Sequence, residues 1–147
     1  MAVVVSMINM KGGVGKTTLA AQLAHKASSQ GYRTLAVDLD PQSNLSQALL
    51  GPTKYVKLLK ENAPTVSSIF ESYLPPSATV GSPTSIQVND TIVKNAGYWQ
   101  KSSLDLIPSR LELSHTLKNP TGKERRLAKA LSKISGSYDL VLIDCAP

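Results

Sequence analysis

Lys11-Gly12-Gly13-Val14-Gly15-Lys16-Thr17-Thr18 is the stretch on which the fold turns. It follows the apolar run Ala2-Val3-Val4-Val5 to Ile8 and leads into a helix-forming segment, Leu19 to Gln30. Strand, glycine turn and helix in that order make a phosphate-binding loop. The glycines let backbone N–H groups crowd around phosphate oxygens, and the following helix adds the positive end of its dipole. Lys16 is then placed for the β- and γ-phosphates and the Thr17 hydroxyl for Mg²⁺. The pattern departs from G-x-x-x-x-G-K-[ST], because Met10 stands where the first glycine belongs and Lys11 opens the loop. Two lysines bracketing an already electropositive backbone call for an anion. A dinucleotide fingerprint fails, since no third glycine follows Gly13-Val14-Gly15 where helix packs on strand.

Outward from the loop, the 147 residues make one domain, residues 1–147, of ordinary apolar content. No apolar run is long enough to cross a bilayer, and no basic leader precedes the first apolar stretch, which argues against a signal peptide. The single cysteine, Cys145, rules out an internal disulfide framework and fits a reducing cytoplasm. A net charge of +6 suits either a solubility surplus or a polyanion partner.

Val3 to Asn9 reads as a buried parallel strand. Leu19, Leu23 and Ala27 recur at helical spacing, with Gly31 as the residue that closes the helix. Thr34 to Val37 forms a second strand ending in Asp38-Leu39-Asp40-Pro41. Ser43 is placed to cap a short helix through Leu45, Ala48 and Leu49, closed by Gly51-Pro52. Residues 52–103 read as an elaboration on the rim. Within it Thr65 caps a helix carrying Val66, Ile69, Phe70, Tyr73 and Leu74, residues 77–85 form a surface loop, and Asn89-Asp90 turns a hairpin between 86–88 and 91–93. Tyr98 and Trp99 fit packing better than base stacking. Leu104 to Pro108 is a third strand. Thr121 and Glu124 form a capping box for a helix through Leu127, Leu131 and Ile134, whose other face carries Arg125, Lys129 and Lys133, a solvated basic face. Asp139 to Asp144 is a fourth strand. Strands alternating with helices mean an α/β fold with a parallel sheet.

Ligands bind outside the carboxyl ends of such strands. The loop (Lys11, Gly12, Gly13, Val14, Gly15, Lys16, Thr17 and Thr18), Asp38, Asp40 and Asp144 all sit at those ends. A polyphosphate with Mg²⁺ neutralises and connects them. Thr17, Asp38, Asp40 and Asp144 are the candidate metal group, with Asp144 as the Walker B carboxylate and Asp40 as the residue that orients the attacking water. His25 and His115 lack metal-ligand spacing and read as helix-surface residues.

Together these residues resemble the ParA/MinD family of deviant Walker A ATPases: Lys11 to Thr18 its signature loop, Asp38-Leu39-Asp40-Pro41-Gln42 its A′ motif, Val141 to Pro147 its Walker B segment. Leu106-Ile107-Pro108-Ser109 with Leu111-Glu112-Leu113 is more similar to the ParA/Soj partitioning branch. The resemblance implies a P-loop NTPase sheet flanked by helices in three layers, with strand order 3-2-4-1. It implies ATP and Mg²⁺, and an ATP-dependent homodimer in which Lys11 reaches the partner's nucleotide and Gly12 stays small so that two loops meet. Lys11, Lys16 and Asp40 are the catalytic group on this basis. It further implies nonspecific DNA binding, a centromere-binding ParB-like partner, plasmid or chromosome partitioning, and a cytoplasmic, nucleoid-associated location. Family domains continue past Walker B, so the resemblance implies an N-terminal portion, with the adenine pocket and DNA-contacting surface beyond Pro147 and Val3 to Asn9 as an open sheet edge. Two alternatives stand beside it: a non-hydrolysing interaction module, and an ATPase resembling the nitrogenase iron proteins, whose cluster cysteines would also fall beyond Pro147.

Overall fold

The computed structural model describes residues 2–71, 86–97, 103–123 and 125–147. β-Branched and leucine-rich runs form four strands: β1 (Val3–Met7), β2 (Thr34–Leu39), β3 (Leu104–Ile107) and β4 (Leu140–Cys145). They make one parallel sheet in the order β1-β4-β2-β3, the expected 3-2-4-1. The helices are α1 (Lys16–Ser29), α2 (Asn44–Leu50), α3 (Pro52–Lys60), α4 (Val66–Glu71), α5 (Leu113–Lys118) and α6 (Arg126–Ile134), with short 3₁₀ turns at Val88–Thr91 and Ser135–Ser137.

Side chains alternate across the sheet with period two. Leu35, Val37, Val141 and Ile143 pack with α4 and α6 residues on one face. Ala36, Leu106 and Leu142 pack with α1, α2 and α3 residues on the other. The same alternation fixes the site. Asp38 is two residues beyond Ala36 and Asp144 two beyond Leu142, so both carboxylates face α1 and α2, paired in register across β2 and β4.

Several local expectations are corrected. The first strand, expected as buried over Val3 to Asn9, forms over Val3–Met7 with Val3, Val4 and Val5 exposed, because it pairs with β4 alone among the described residues. Helix α1 buries Ala20, Ala24, Ala27 and Ser28, whereas Leu19 and Leu23 are 52% and 39% exposed. The leucine stripe and the alanine stripe have the same spacing; the smaller one lies against the sheet because it permits closer approach. Gly31 does close the helix, at φ +89°, with Tyr32 N–H bonding to Ala27 C=O and Gly31 N–H to Ser28 C=O. Ser43 precedes α2, but its hydroxyl makes no cap. The hairpin around Asn89-Asp90 is a 3₁₀ turn, in which Asp90 accepts from Gln87 N–H at 2.9 Å. Val93 instead bridges antiparallel to Leu106, widening the sheet beyond β3. The segment after Pro52 is not only rim: Val66, Ile69, Phe70 and Val88 belong to the core. Thr65 precedes α4 as expected, but its N–H donates to Ser68 Oγ at 3.2 Å and its own hydroxyl has no hydrogen-bond partner among the described residues. Helix α6 begins at Arg126 without a side-chain cap, and Thr121 sits in the turn before it. Residues 72–85, Tyr98, Trp99 and Glu124 lie outside the described residues.

Candidate functional site

The loop between β1 and α1 is built on two left-handed glycines, Gly13 at φ +72° and Gly15 at φ +84°. Residues with a Cβ rarely adopt this region, and a turn built on it is the kind that can aim successive N–H groups at one anion. Met10 is almost fully exposed and plays no part in that turn. The Asn9 carboxamide oxygen accepts from Lys11 N–H at 2.9 Å, closing the loop at its start. The Lys16 ammonium folds back over it, donating to the Asn9 carbonyl at 3.0 Å and the Lys11 carbonyl at 3.4 Å. A phosphate oxygen placed there would exchange two neutral acceptors for a charged one. Lys11 is exposed and forms no ion pair among the described residues. A Cβ at Gly12 would meet nothing within 4 Å among the described residues, so none of them requires a small residue there. Val14 and Thr18 are exposed on the loop and first helical turn.

Thr17, in the first turn of α1, donates its hydroxyl to Asp144 Oδ2 at 2.6 Å. Asp144 is 1% exposed and its Oδ1 has no hydrogen-bond partner among the described residues. Burial pushes its carboxyl above the usual carboxylate range; Thr17 opposes the shift, the Asp40 charge adds to it and the Lys16 charge reduces it. A buried carboxylate oxygen with no donor is costly unless a cation or its bound water meets it. Threonine hydroxyl and carboxylate side by side fit Mg²⁺, which uses few protein ligands and fills its shell with water and phosphate. Among the described residues no three His, Cys, Asp or Glu side chains converge as an all-protein metal site.

Asp38 is fully buried, and burial holds its carboxyl up at about 6. Its oxygens accept from Asp40 N–H at 3.2 Å, Ser46 N–H at 2.8 Å and the Ser46 hydroxyl at 2.6 Å. Asp38 therefore caps α2, the work the sequence assigned to Ser43. As a candidate metal residue it sits at the right strand end, with donors of this chain on both oxygens. Asp40 is half-buried beyond β2, and its Oδ1 accepts from Gln42 N–H at 2.9 Å. The structure thus brings Lys16, Thr17, Asp38, Asp40 and Asp144 to the same end of the sheet, with Thr17, Asp40 and Lys16 all acting on Asp144. Ser46, Ser109 and Tyr55, which approach from behind Asp38, were missed by sequence reasoning, because buried hydroxyls leave no periodic signal. Cys145 is half-buried on the opposite side of β4 from Asp144, and burial pushes its thiol up, away from thiolate chemistry.

The AAA domain family matches residues 2–147. The chain is 32% identical to the chromosome partitioning protein ParA of Myxococcus xanthus, over 98% of this chain and 44% of the relative. The structure of pNOB8 ParA bound to nonspecific DNA matches with TM-score 0.71 and 27% identity, over all of this chain and 47% of that one. Cobyrinic acid a,c-diamide synthase from Mycobacterium smegmatis, with bound ATP analogue and magnesium, matches with TM-score 0.73 and 28% identity, over 99% and 51%. The chain spans about half the length of the relatives it matches. Loop, Walker B pair, strand order and these likenesses agree: the chain belongs to the AAA domain family, among the ParA-type P-loop ATPases.

Proposed function

We propose that this chain binds ATP with Mg²⁺ on the 11–18 loop and serves ATP hydrolysis of the ParA type. The observation that carries the reading is the Thr17–Asp144 pair at 2.6 Å, with the second Asp144 oxygen unpartnered and Lys16 folded over the loop beside it. Thr17 and Asp144 would hold Mg²⁺, with Asp38 and Asp40 as the nearby acidic residues. The metal supplies charge neutralisation on the transferred phosphoryl group. Loop N–H groups and Lys16 bind and orient the β- and γ-phosphates. The Asp40 carboxylate, held at the rim by Gln42 N–H, is placed to accept a hydrogen bond from the attacking water and fix its line of approach.

The process we infer is plasmid or chromosome partitioning, by an ATP-dependent homodimer that binds nonspecific DNA and is stimulated by a centromere-binding, ParB-like partner. Lys11, exposed at the loop mouth, is the residue placed to reach a second protomer's nucleotide. Binding of nonspecific DNA by pNOB8 ParA and of an ATP analogue with magnesium by the cobyrinic acid synthase supports this reading. Lys16→Ala is expected to abolish Mg²⁺-dependent ATP binding measured by calorimetry. Unchanged binding in that variant rejects the loop assignment. Phosphate release measured with DNA and the partner present separates a turning-over ATPase from a binding module.

A further inference from the structure

Behind the carboxylates lies a buried chain of hydroxyls that the ATPase reading does not use. Ser46 is its centre. Its hydroxyl donates to Asp38 Oδ2 at 2.6 Å and accepts from Ser109 N–H at 2.9 Å. The Tyr55 hydroxyl donates to the Ser109 carbonyl at 3.1 Å. Asp38, Ser46 and Ser109 are each completely buried. One oxygen therefore joins the end of β2, the first turn of α2, the loop after β3 and, through Tyr55, helix α3.

A helix cap alone does not need this arrangement. Capping α2 requires one acceptor for its free N–H groups, which a serine or asparagine in the preceding loop supplies without burying a charge. Here a full carboxylate is buried in register beside Asp144, where desolvation and like charge both work against it. What the carboxylate gains is a second connection: Asp38 Oδ1 accepts from Asp40 N–H while Oδ2 is held by Ser46. The rotamer of Asp38, and through it the backbone that presents Asp40, depends on Ser46. The other end of the chain faces outward. Tyr55 borders a cavity of 430 Å³ with Pro41, Gln42, Arg110 and Glu112, so the loop after β3 and the Asp40 loop share one opening.

We propose that Ser46 is a positioning residue for the hydrolytic step: its hydroxyl, shared between Asp38 and the Ser109 N–H, fixes the loop that carries Asp40 and ties its placement to the loop after β3. The inference rests on the ATPase reading and names a residue that acts through Asp38 and Asp40 without touching substrate.

The test compares the unsubstituted chain with Ser46→Ala and Ser46→Thr in three measurements: amide hydrogen exchange, MgATP affinity by calorimetry, and turnover. In Ser46→Ala the Asp40 and Ser109 amides should exchange about ten-fold faster or more, and kcat should fall about ten-fold, while MgATP affinity stays within about two-fold. Ser46→Thr, which keeps the hydroxyl, should restore both. Turnover unchanged in Ser46→Ala overturns the inference, and so does affinity falling in step with turnover, which marks a merely structural role. Should Ser46→Ala fail to fold, Tyr55→Phe removes the outer bond and leaves Ser46 and Asp38 intact. It should speed Ser109 exchange and lower kcat about two- to five-fold at constant affinity; no change in either overturns the coupling. Absence of MgATP binding in the unsubstituted chain overturns the ATPase reading and this role with it, whereas retained binding with unaltered Ser46→Ala turnover overturns the inference alone.

Discussion

Asp144→Asn separates the two roles a buried carboxylate can have, because its effects on stability and on metal affinity have opposite signs. Asparagine is isosteric and its carbonyl oxygen still accepts the Thr17 hydroxyl, now bonded to Asp144 Oδ2 at 2.6 Å. The hydrogen bond weakens from charge-assisted to neutral, a loss of about 1 kcal/mol. Against this, a buried charge disappears, together with its repulsion from Asp38 and Asp40. Replacing a poorly compensated buried charge by a neutral isostere is neutral or stabilising by about 1–4 kcal/mol. The net expectation for the nucleotide-free chain is between no change and a gain of about 3 kcal/mol, or up to roughly 9 °C in Tm for a domain of this size.

The metal side moves the other way. With Asp144 holding Mg²⁺ as proposed, loss of its unpartnered anionic oxygen should weaken Mg²⁺-dependent ATP binding about 10- to 100-fold, or about 1.4–2.7 kcal/mol. Thermal unfolding without nucleotide, and calorimetric titration of ATP at several Mg²⁺ concentrations, read the two effects separately. A variant that melts clearly lower yet binds MgATP within two-fold of the unsubstituted chain refutes the reasoning, since Asp144 would then be an ordinary structural acceptor.

Two further predictions concern pH and the sheet edge. Asp38 is held up at about 6 against an ordinary 3.8, so the folded state binds the extra proton. The stability this group contributes is present below pH 3.8 and is lost as pH rises through about 6, up to about 3 kcal/mol. The slope of nucleotide-free stability between pH 4 and 6 should flatten in Asp38→Asn, and an unchanged slope removes Asp38 as its source. β1 pairs with β4 on one side only among the described residues, and Val4 on it is 53% exposed. A lysine there should suppress concentration-dependent self-association in sedimentation at a stability cost of about 1 kcal/mol or less; association undiminished by Val4→Lys would show that the edge is not its route.

What was legible in the sequence follows from how strongly each signal is local. All four strands stood out as runs rich in apolar residues, the mark of a parallel strand covered on both faces; β2, β3 and β4 are buried in that way, whereas β1 carries the same run with Val3, Val4 and Val5 exposed. Lys16, Thr17, Asp38, Asp40 and Asp144 stood out as candidates because a P-loop and strand-end carboxylates need particular residues at particular spacings. Helix α3 was missed: Gly51-Pro52 reads as a stop, yet Pro52 is the first residue of a new helix, the position proline suits best. The Asn89-Asp90 turn was misread because the Asp90 side chain bonds the Gln87 N–H locally, which a strand pairing would have had to outcompete. Ser43 against Asp38 as the cap of α2 is a tertiary choice. An acceptor five residues earlier in the chain, at the end of a neighbouring strand, has no signature in local sequence.

The misread face of α1 connects the packing to the chemistry. Thr17 and Asp144 meet at 2.6 Å only if the first turn of α1 lies close against the end of β4. Ala20 and Ala24 supply that approach, each contributing a single methyl to the interface with Ala36 and Leu142. Turning the leucine stripe inward would bury more apolar area, at about 25 cal/mol per Å², but would lift the helix by the length of a leucine side chain. The Thr17 hydroxyl would then leave hydrogen-bonding range of Asp144, and the loop N–H groups would move with it. Exposure of Leu19 and Leu23 is thus a consequence of placing the P-loop threonine against the Walker B carboxylate. Burial alone would choose the other face; the position of the Thr17–Asp144 pair chooses this one.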